Sequence, residues 1–354
     1  MNIDWRIKLE NKIRVQWVDI GKFICIFFVM LSHLSFVPHT LISFYTPFFL
    51  NGFFFLSGYV YKQEPTFKTH MVKKIKTLLV PWFFFSMFII FSRSIFTLKG
   101  SGYHNLVNEL LDNFLQIRGH NDQMWFVICL FMAFIPFYFI IKYTHGIVTI
   151  AIAITMSVLS QVYTNLMEPS VFPWKSNALP WHIQLIFVFM LYMVLGYYFR
   201  MYFESRNIIF NGKRLAAIVF FIFILMVVLM ESNLLKTAWW TVRLCFGYVE
   251  NITGIASLVL ISKLIRPNKL ISFVGQNTLI YFGLHGKIES IFETILVKFN
   301  LLEFIEKTFI VNYVACFTVV FLVIIILIIP TLIINRYFPF VMGKKYNIKK
   351  KYEK

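Results

Sequence analysis

Lys22 and His33 stand eleven residues apart inside one long apolar run, residues 18–37. An α-helix turns about 100° per residue, so eleven steps return a side chain to within roughly 20° of its starting direction. The two therefore share one helical face, separated by about 16 Å of axial rise. Asp19 lies on the same face, one turn before Lys22. An ammonium at one end could hold an anionic or polar group. An imidazole at the other could take a proton from an attacking hydroxyl or act as the nucleophile itself. The plainer alternatives are a lysine that snorkels to the interface and a histidine bonded to a carbonyl at the far interface. Asp19 is about 21 Å from His33 along the helix, so it cannot orient the imidazole and suits an i,i+3 pairing with Lys22.

Further groups capable of chemistry fall in other apolar runs. Arg243 and Glu250 are seven residues apart and project within about 20° of each other on one helix, where they line an acceptor site or neutralise charge inside the bundle. His285 is a second candidate for acid, base or acceptor contact, with a structural role as its alternative. Ser57 has no base beside it in sequence, and with Gly58 it suits close helix packing better than nucleophilic attack. The four cysteines, Cys25, Cys129, Cys245 and Cys316, lie in apolar runs without metal-ligand spacing, so they read as buried free thiols and no metal is implied.

The elements that position these groups follow from composition. The chain is 59% hydrophobic and 14% charged, which requires an integral membrane protein. Its long apolar runs carry no period-2 alternation and read as helices. Ten spans are expected, at 17–37, 42–61, 78–97, 124–141, 146–163, 183–200, 214–231, 241–262, 270–287 and 310–334. The basic residues of the connecting segments alternate strongly, twenty-four in one set and seven in the other. Positive charge marks the cytosolic side, so both termini are expected there, in an all-α bundle of about ten transmembrane helices. The net charge of +18 is thereby a topology signal, and nucleic acid is not needed to explain it. The first run has no small-residue cleavage site after it and reads as a signal-anchor span. Residues 1–335 form one polytopic membrane domain. Residues 336–354 form a basic cytosolic tail suited to anionic lipid. The longer outer segments, 98–123, 164–182 and 288–309, carry aromatic and acidic residues that suit carbohydrate or an interfacial aromatic belt.

Several segments taken together resemble the acyltransferase 3 family of membrane O-acyltransferases. Trp17-Val18-Asp19-Ile20-Gly21-Lys22, continuing to Ser32-His33, is similar to its basic-residue, ten-spacer, histidine signature in the first helix. Phe55-Leu56-Ser57-Gly58-Tyr59 resembles its Ser-Gly-Phe element, and Lys73 to Pro81 its Arg-x-x-Arg…Pro stretch. Trp125-Phe126 opens the fourth helix as the family often shows. The run from Val274 through Gly275, Thr278 and Leu279 to His285 resembles a late Gly-x-x-Ser/Thr-Leu…His segment. Lysine stands at Lys22, Lys73 and Lys76 where arginine is usual, which keeps the charge and loses the planar two-pronged grip on phosphate.

The resemblance implies an O-acetyltransferase of surface glycans in the cytoplasmic membrane, crossing it many times. It implies acetyl-CoA as acyl donor rather than a tightly bound cofactor, and a glycan or lipid-linked saccharide as acceptor, with polysaccharide-biosynthesis proteins as possible partners. Lys22, Lys73, Lys74 and Lys76 would bind the donor, and His33, with His285 second, would carry the chemistry. Asp19, Ser57, Tyr59, Trp125, Arg243 and Glu250 would contact substrate. The competing class is a polytopic transporter or exporter of a glycan or lipid-linked sugar, which intramembrane charges also suit.

Overall fold

The computed structural model describes residues 15–97, 102–116, 124–168, 178–204 and 212–344. Among them every regular element is helical. In hydrocarbon, backbone polar groups must be satisfied within the segment, and a helix does this without a neighbour. Eight helical stretches are long and apolar enough to cross a membrane: 39–59, 67–92, 125–143, 147–166, 180–204, 213–231, 240–264 and 309–337. The other two expected spans take different forms. The first is α1 (Gln16–Ser32), of 17 residues. The ninth is divided into α13 (Lys269–Gln276) and α14 (Thr278–Lys298) at Asn277. The basic tail beyond Lys344 lies outside the described residues.

Several expected spans are interrupted. The second is made of α2 (His39–Tyr45) and α3 (Phe49–Tyr59). The third begins early, with α4 (Phe67–Lys74) passing through a π-helical turn at Ile75–Leu79 into α5 (Val80–Thr97). The connecting segment after it contains α6 (Gly102–Leu115). Next come α7 (Trp125–Tyr143), α8 (Ile147–Leu166) and α9 (Ile183–Tyr198), the last running on as π-helix over Phe199–Glu204. They are followed by α10 (Lys213–Glu231), α11 (Asn233–Lys236) and α12 (Trp240–Leu264). After α14 the chain forms α15 (Leu301–Lys307), α16 (Phe309–Ile326) and α17 (Ile328–Tyr337). The outer segment expected at 288–309 is thus helical for most of its length.

α1 is the hub, packed against α3, α12, α13, α14 and α16. Its buried side, with Cys25, Ile26, Val29, Met30 and Leu31, lies in the main apolar core. Without a hydrophobic drive between lipid-bathed helices, close backbone approach and dispersion hold such a bundle together. Gly58 on α3 and Gly196 on α9 supply that approach. A Cβ on Gly58 would strike the backbone of Met193, and one on Gly196 the backbone of Phe55. Phe54 and Phe189 stack beside this crossing, with centroids 4.2 Å apart. Among the thiols, Cys25, Cys129 and Cys316 are buried and free. Cys245, also free, is exposed, because it sits on an outward face of α12.

Gly58→Ala should lower stability by about 1–3 kcal/mol, because the backbone it meets cannot turn aside as a side chain does. Gly247→Ala, where only the flexible tip of Met230 lies within reach at 3.9 Å, should leave stability unchanged or slightly raised. Unfolding of the two variants in detergent checks the contrast.

Candidate functional site

His33 caps the C-terminus of α1, with φ −94° and ψ −8°, so it completes the last helical turn and keeps the face shared with Lys22. The residue is exposed at the surface of the bundle. Against it lies the ring of His285 from α14, edge-on with centroids 4.8 Å apart. The sequence places these two histidines in separate apolar runs, and the packing of α14 on α1 brings them together. His285 is 1% exposed. Its Nδ1 donates to the Tyr281 carbonyl at 3.0 Å, which leaves Nε2 as the nitrogen available for chemistry. That Nε2 lies 3.9 Å from the carboxylate of Glu289, one turn further along α14.

Glu289 is 2% exposed, and among the described residues neither of its oxygens nor His285 Nε2 has a hydrogen-bond partner. A buried carboxyl without partners is expensive, and such groups concentrate where a ligand or a moving proton completes them. One turn beyond, Glu293 accepts a 2.6 Å hydrogen bond from the backbone N–H of Ser35. The stripe His285, Glu289, Glu293 therefore runs along the end of α1. The sequence reading missed Glu289 because it ended the span at residue 287. The four-residue spacing from His285 was the available signal.

A second site lies around the start of α5. A pocket of about 770 Å³ is lined by Ser57, Lys62, Glu64, His70, Lys73 and Lys74, with Tyr61 and Phe134 as aromatic walls. Lys74 Nζ sits 3.2 Å from the Phe134 ring centroid and 5.9 Å from that of Tyr61, so the ring faces hold the ammonium in place of counter-ions. Lys73 pairs with Glu64 at 2.5 Å. His70 is fully buried. Its Nε2 donates to the Phe134 carbonyl at 3.2 Å, and its Nδ1 has no partner. Lys76 does not line this pocket, and the close approach of Gly343 to its carbonyl packs the end of the described chain against its backbone. A layer of phenylalanines separates pocket and histidines. Phe126 lies 5.4 Å from Phe53 and 5.6 Å from Phe282, and Phe282 lies 5.9 Å from His285.

The remaining candidates are dispersed. Asp19 accepts a hydrogen bond from Gln276 Nε2 at 3.3 Å, and Lys22 is half-buried one turn on. Tyr59 donates to the Glu204 carboxylate, which also pairs with Lys263 at 2.8 Å, while the Tyr59 ring meets Trp17 edge-on at 4.7 Å. Tyr59 thus belongs to a buried polar lock away from the histidines. Trp125 packs on His182 at 5.1 Å. His182 and Trp181 are held there by left-handed backbone, φ 54° and 58°. Arg243 and Glu250 form no ion pair: Glu250 is buried, whereas Arg243 is exposed in a groove on the outside of α12. No group of three or more metal-ligating side chains occurs among the described residues.

A bundle of apolar helices of membrane length, with ionisable groups turned inward, is a multi-pass membrane protein. Residues 15–329 match the acyltransferase 3 family profile, described as an acyltransferase domain, and the chain belongs to that family. It is accordingly a membrane acyltransferase by family. No curated protein and no solved structure matches the chain.

The difference in exposure between the two histidines is directly measurable. Diethyl pyrocarbonate applied to the purified protein should modify His33 and spare the buried His70, His182 and His285, read by peptide mass spectrometry. Equal modification of His33 and His285 would contradict this arrangement.

Proposed function

We propose that this acyltransferase moves an acetyl group from cytosolic acetyl-CoA to a hydroxyl of a cell-surface glycan or its lipid-linked precursor, in the cytoplasmic membrane, with both termini cytosolic. The observation that carries the reading is the contact of His33 with His285 at the end of the α1 face that begins at Lys22, with a lysine pocket set apart from it. An anionic donor and a neutral acceptor need such separated environments, one cationic and one able to move a proton.

The pocket with Lys62, Lys73 and Lys74 suits the phosphates of coenzyme A. An incoming phosphate would compete with Glu64 for Lys73. The thin pantetheine arm then has to pass the phenylalanine layer around Phe126 to bring its thioester to His33. At His33 the acceptor hydroxyl attacks the thioester carbonyl as the imidazole takes its proton. The new C–O ester bond forms, the C–S bond breaks, and the proton passes from the imidazolium to the departing thiolate. His285 is a positioning residue: its ring packs edge-on against that of His33, and the Glu289 carboxyl lies 3.9 Å from its Nε2. A covalent acyl-His33 intermediate fits the same geometry.

Glycan O-acetyl content should fall to the level of cells lacking the protein when His33→Ala is expressed at wild-type levels in the membrane. With purified protein, thiol release from acetyl-CoA in the presence of acceptor should drop by at least about 100-fold in the same variant. Lys74→Gln should raise the KM for acetyl-CoA about tenfold while kcat changes little, as expected for a contact equal in ground and transition states. Normal acetylation by His33→Ala would remove this residue from the chemistry.

A further inference from the structure

Away from both sites, an open groove of about 630 Å³ lies between α8, α10 and α12, lined by Gln161, Met230, Trp240, Arg243, Tyr248 and Asn251. At the far end of α12, Lys263 pairs with Glu204 at 2.8 Å and reaches the Trp17 ring at 5.2 Å. Arg243 is twenty residues from Lys263, about 30 Å of helical rise. The groove therefore opens at the membrane face opposite the one where α1 begins.

Its polar groups are set up for a ligand. Among the described residues the Arg243 guanidinium makes no ion pair, and the nearby carboxylates do not serve it: Glu231 is committed to Lys236 at 2.7 Å and Ser43 at 2.6 Å, and Glu250 is buried on the inner side of the same helix. The Gln161 carboxamide, from α8, makes no hydrogen bond among the described residues. Asn251 and Tyr248 are fixed in the wall by hydrogen bonds to Tyr192 at 2.8 Å and Ser157 at 2.6 Å. A snorkelling arginine accounts for Arg243 alone. It does not account for a concave site in which polar side chains of α8 and α12 converge beside an apolar floor.

We infer that this groove binds the phosphate group of a lipid from that leaflet, with Arg243 as its anion-binding residue. The planar guanidinium matches two phosphate oxygens, Gln161 can donate to a third or to an ester oxygen, and Trp240 sits at the depth where indole rings border headgroups. The phosphate can belong to a glycerophospholipid or to a polyprenyl phosphate carrier. This site is independent of the acyl-transfer reading.

Native mass spectrometry of the delipidated full-length protein in detergent tests it, with phosphatidylglycerol, farnesyl phosphate and uncharged diacylglycerol as probes. Wild type should retain one phosphate-bearing lipid and little diacylglycerol. Arg243→Gln should weaken retention about tenfold, as expected for one lost charge-assisted contact, whereas Arg266→Gln, at the other end of the bundle, should not. Gly247→Leu, which fills the groove without changing charge, should weaken it as well and guards against a folding defect in the arginine variant. Displacement of phosphatidylglycerol by lower concentrations of farnesyl phosphate would identify a carrier lipid, and the reverse order a phospholipid. Unchanged retention in both groove variants, or equal retention of diacylglycerol by wild type, would overturn the inference.

Discussion

The bundle depends on how closely α1 can be approached from several sides at once. Gly275, on α13, lies so near the Asp19 carbonyl that a Cβ there would strike the α1 backbone. The neighbouring Gln276 donates to the Asp19 carboxylate at 3.3 Å. Asn277 then breaks the helix, with its amide donating to the Phe273 carbonyl at 2.8 Å and its oxygen accepting from Asn335 at 2.8 Å. These contacts set the start and direction of α14. Eight residues beyond the break, His285 meets His33 because that direction carries α14 along α1 to its end. A bulkier residue at 275 would displace the whole of α14, and the histidine contact with it.

Ionisable groups in a membrane bundle are costly, and this protein handles them in distinct ways. Glu204 gathers Tyr59 and Lys263, and the Lys263 ammonium also lies over the Trp17 and Phe199 rings, at 5.2 and 5.1 Å. Lys74 rests on aromatic faces instead of a carboxylate. Lys142, at the end of α7, donates a hydrogen bond to the Tyr138 hydroxyl at 3.1 Å. Among the described residues, His285 Nε2 and the Glu289 carboxyl are unpartnered buried groups that lie next to each other, 3.9 Å apart. Hydrophobic packing alone would not retain such a pair, since an apolar residue of similar size would fill the space at lower cost.

The two polar regions on either side of the phenylalanine layer define the division of labour proposed for acyl transfer. Phe126 touches rings on α3 and α14 together, so it lies between the floor of the lysine pocket and the histidines. Aromatic side chains there line the way between the two regions with apolar surface, while His33 itself is exposed at the end of α1. The same rings have to yield to an entering arm.

The sequence by itself determined that the chain is an all-helical membrane protein, that Lys22 and His33 share a helical face, and which motifs relate it to its family. Those properties are local: hydropathy over one helix length, a 100° rotation per residue, and a residue order readable along the chain. Even there, local reading erred where a helix is interrupted or extended, as at Asn277 and in the run of α14 to Lys298. Only the tertiary structure decided that His33 meets His285, which has Glu289 beside it, that Lys73 and Lys74 line a pocket while Lys76 does not, and that Arg243 and Glu250 part company. Each of these depends on where two helices cross and how each is rotated about its axis. Glycine contacts and side-chain volumes from distant parts of the chain set both, and no periodicity within a single segment encodes them.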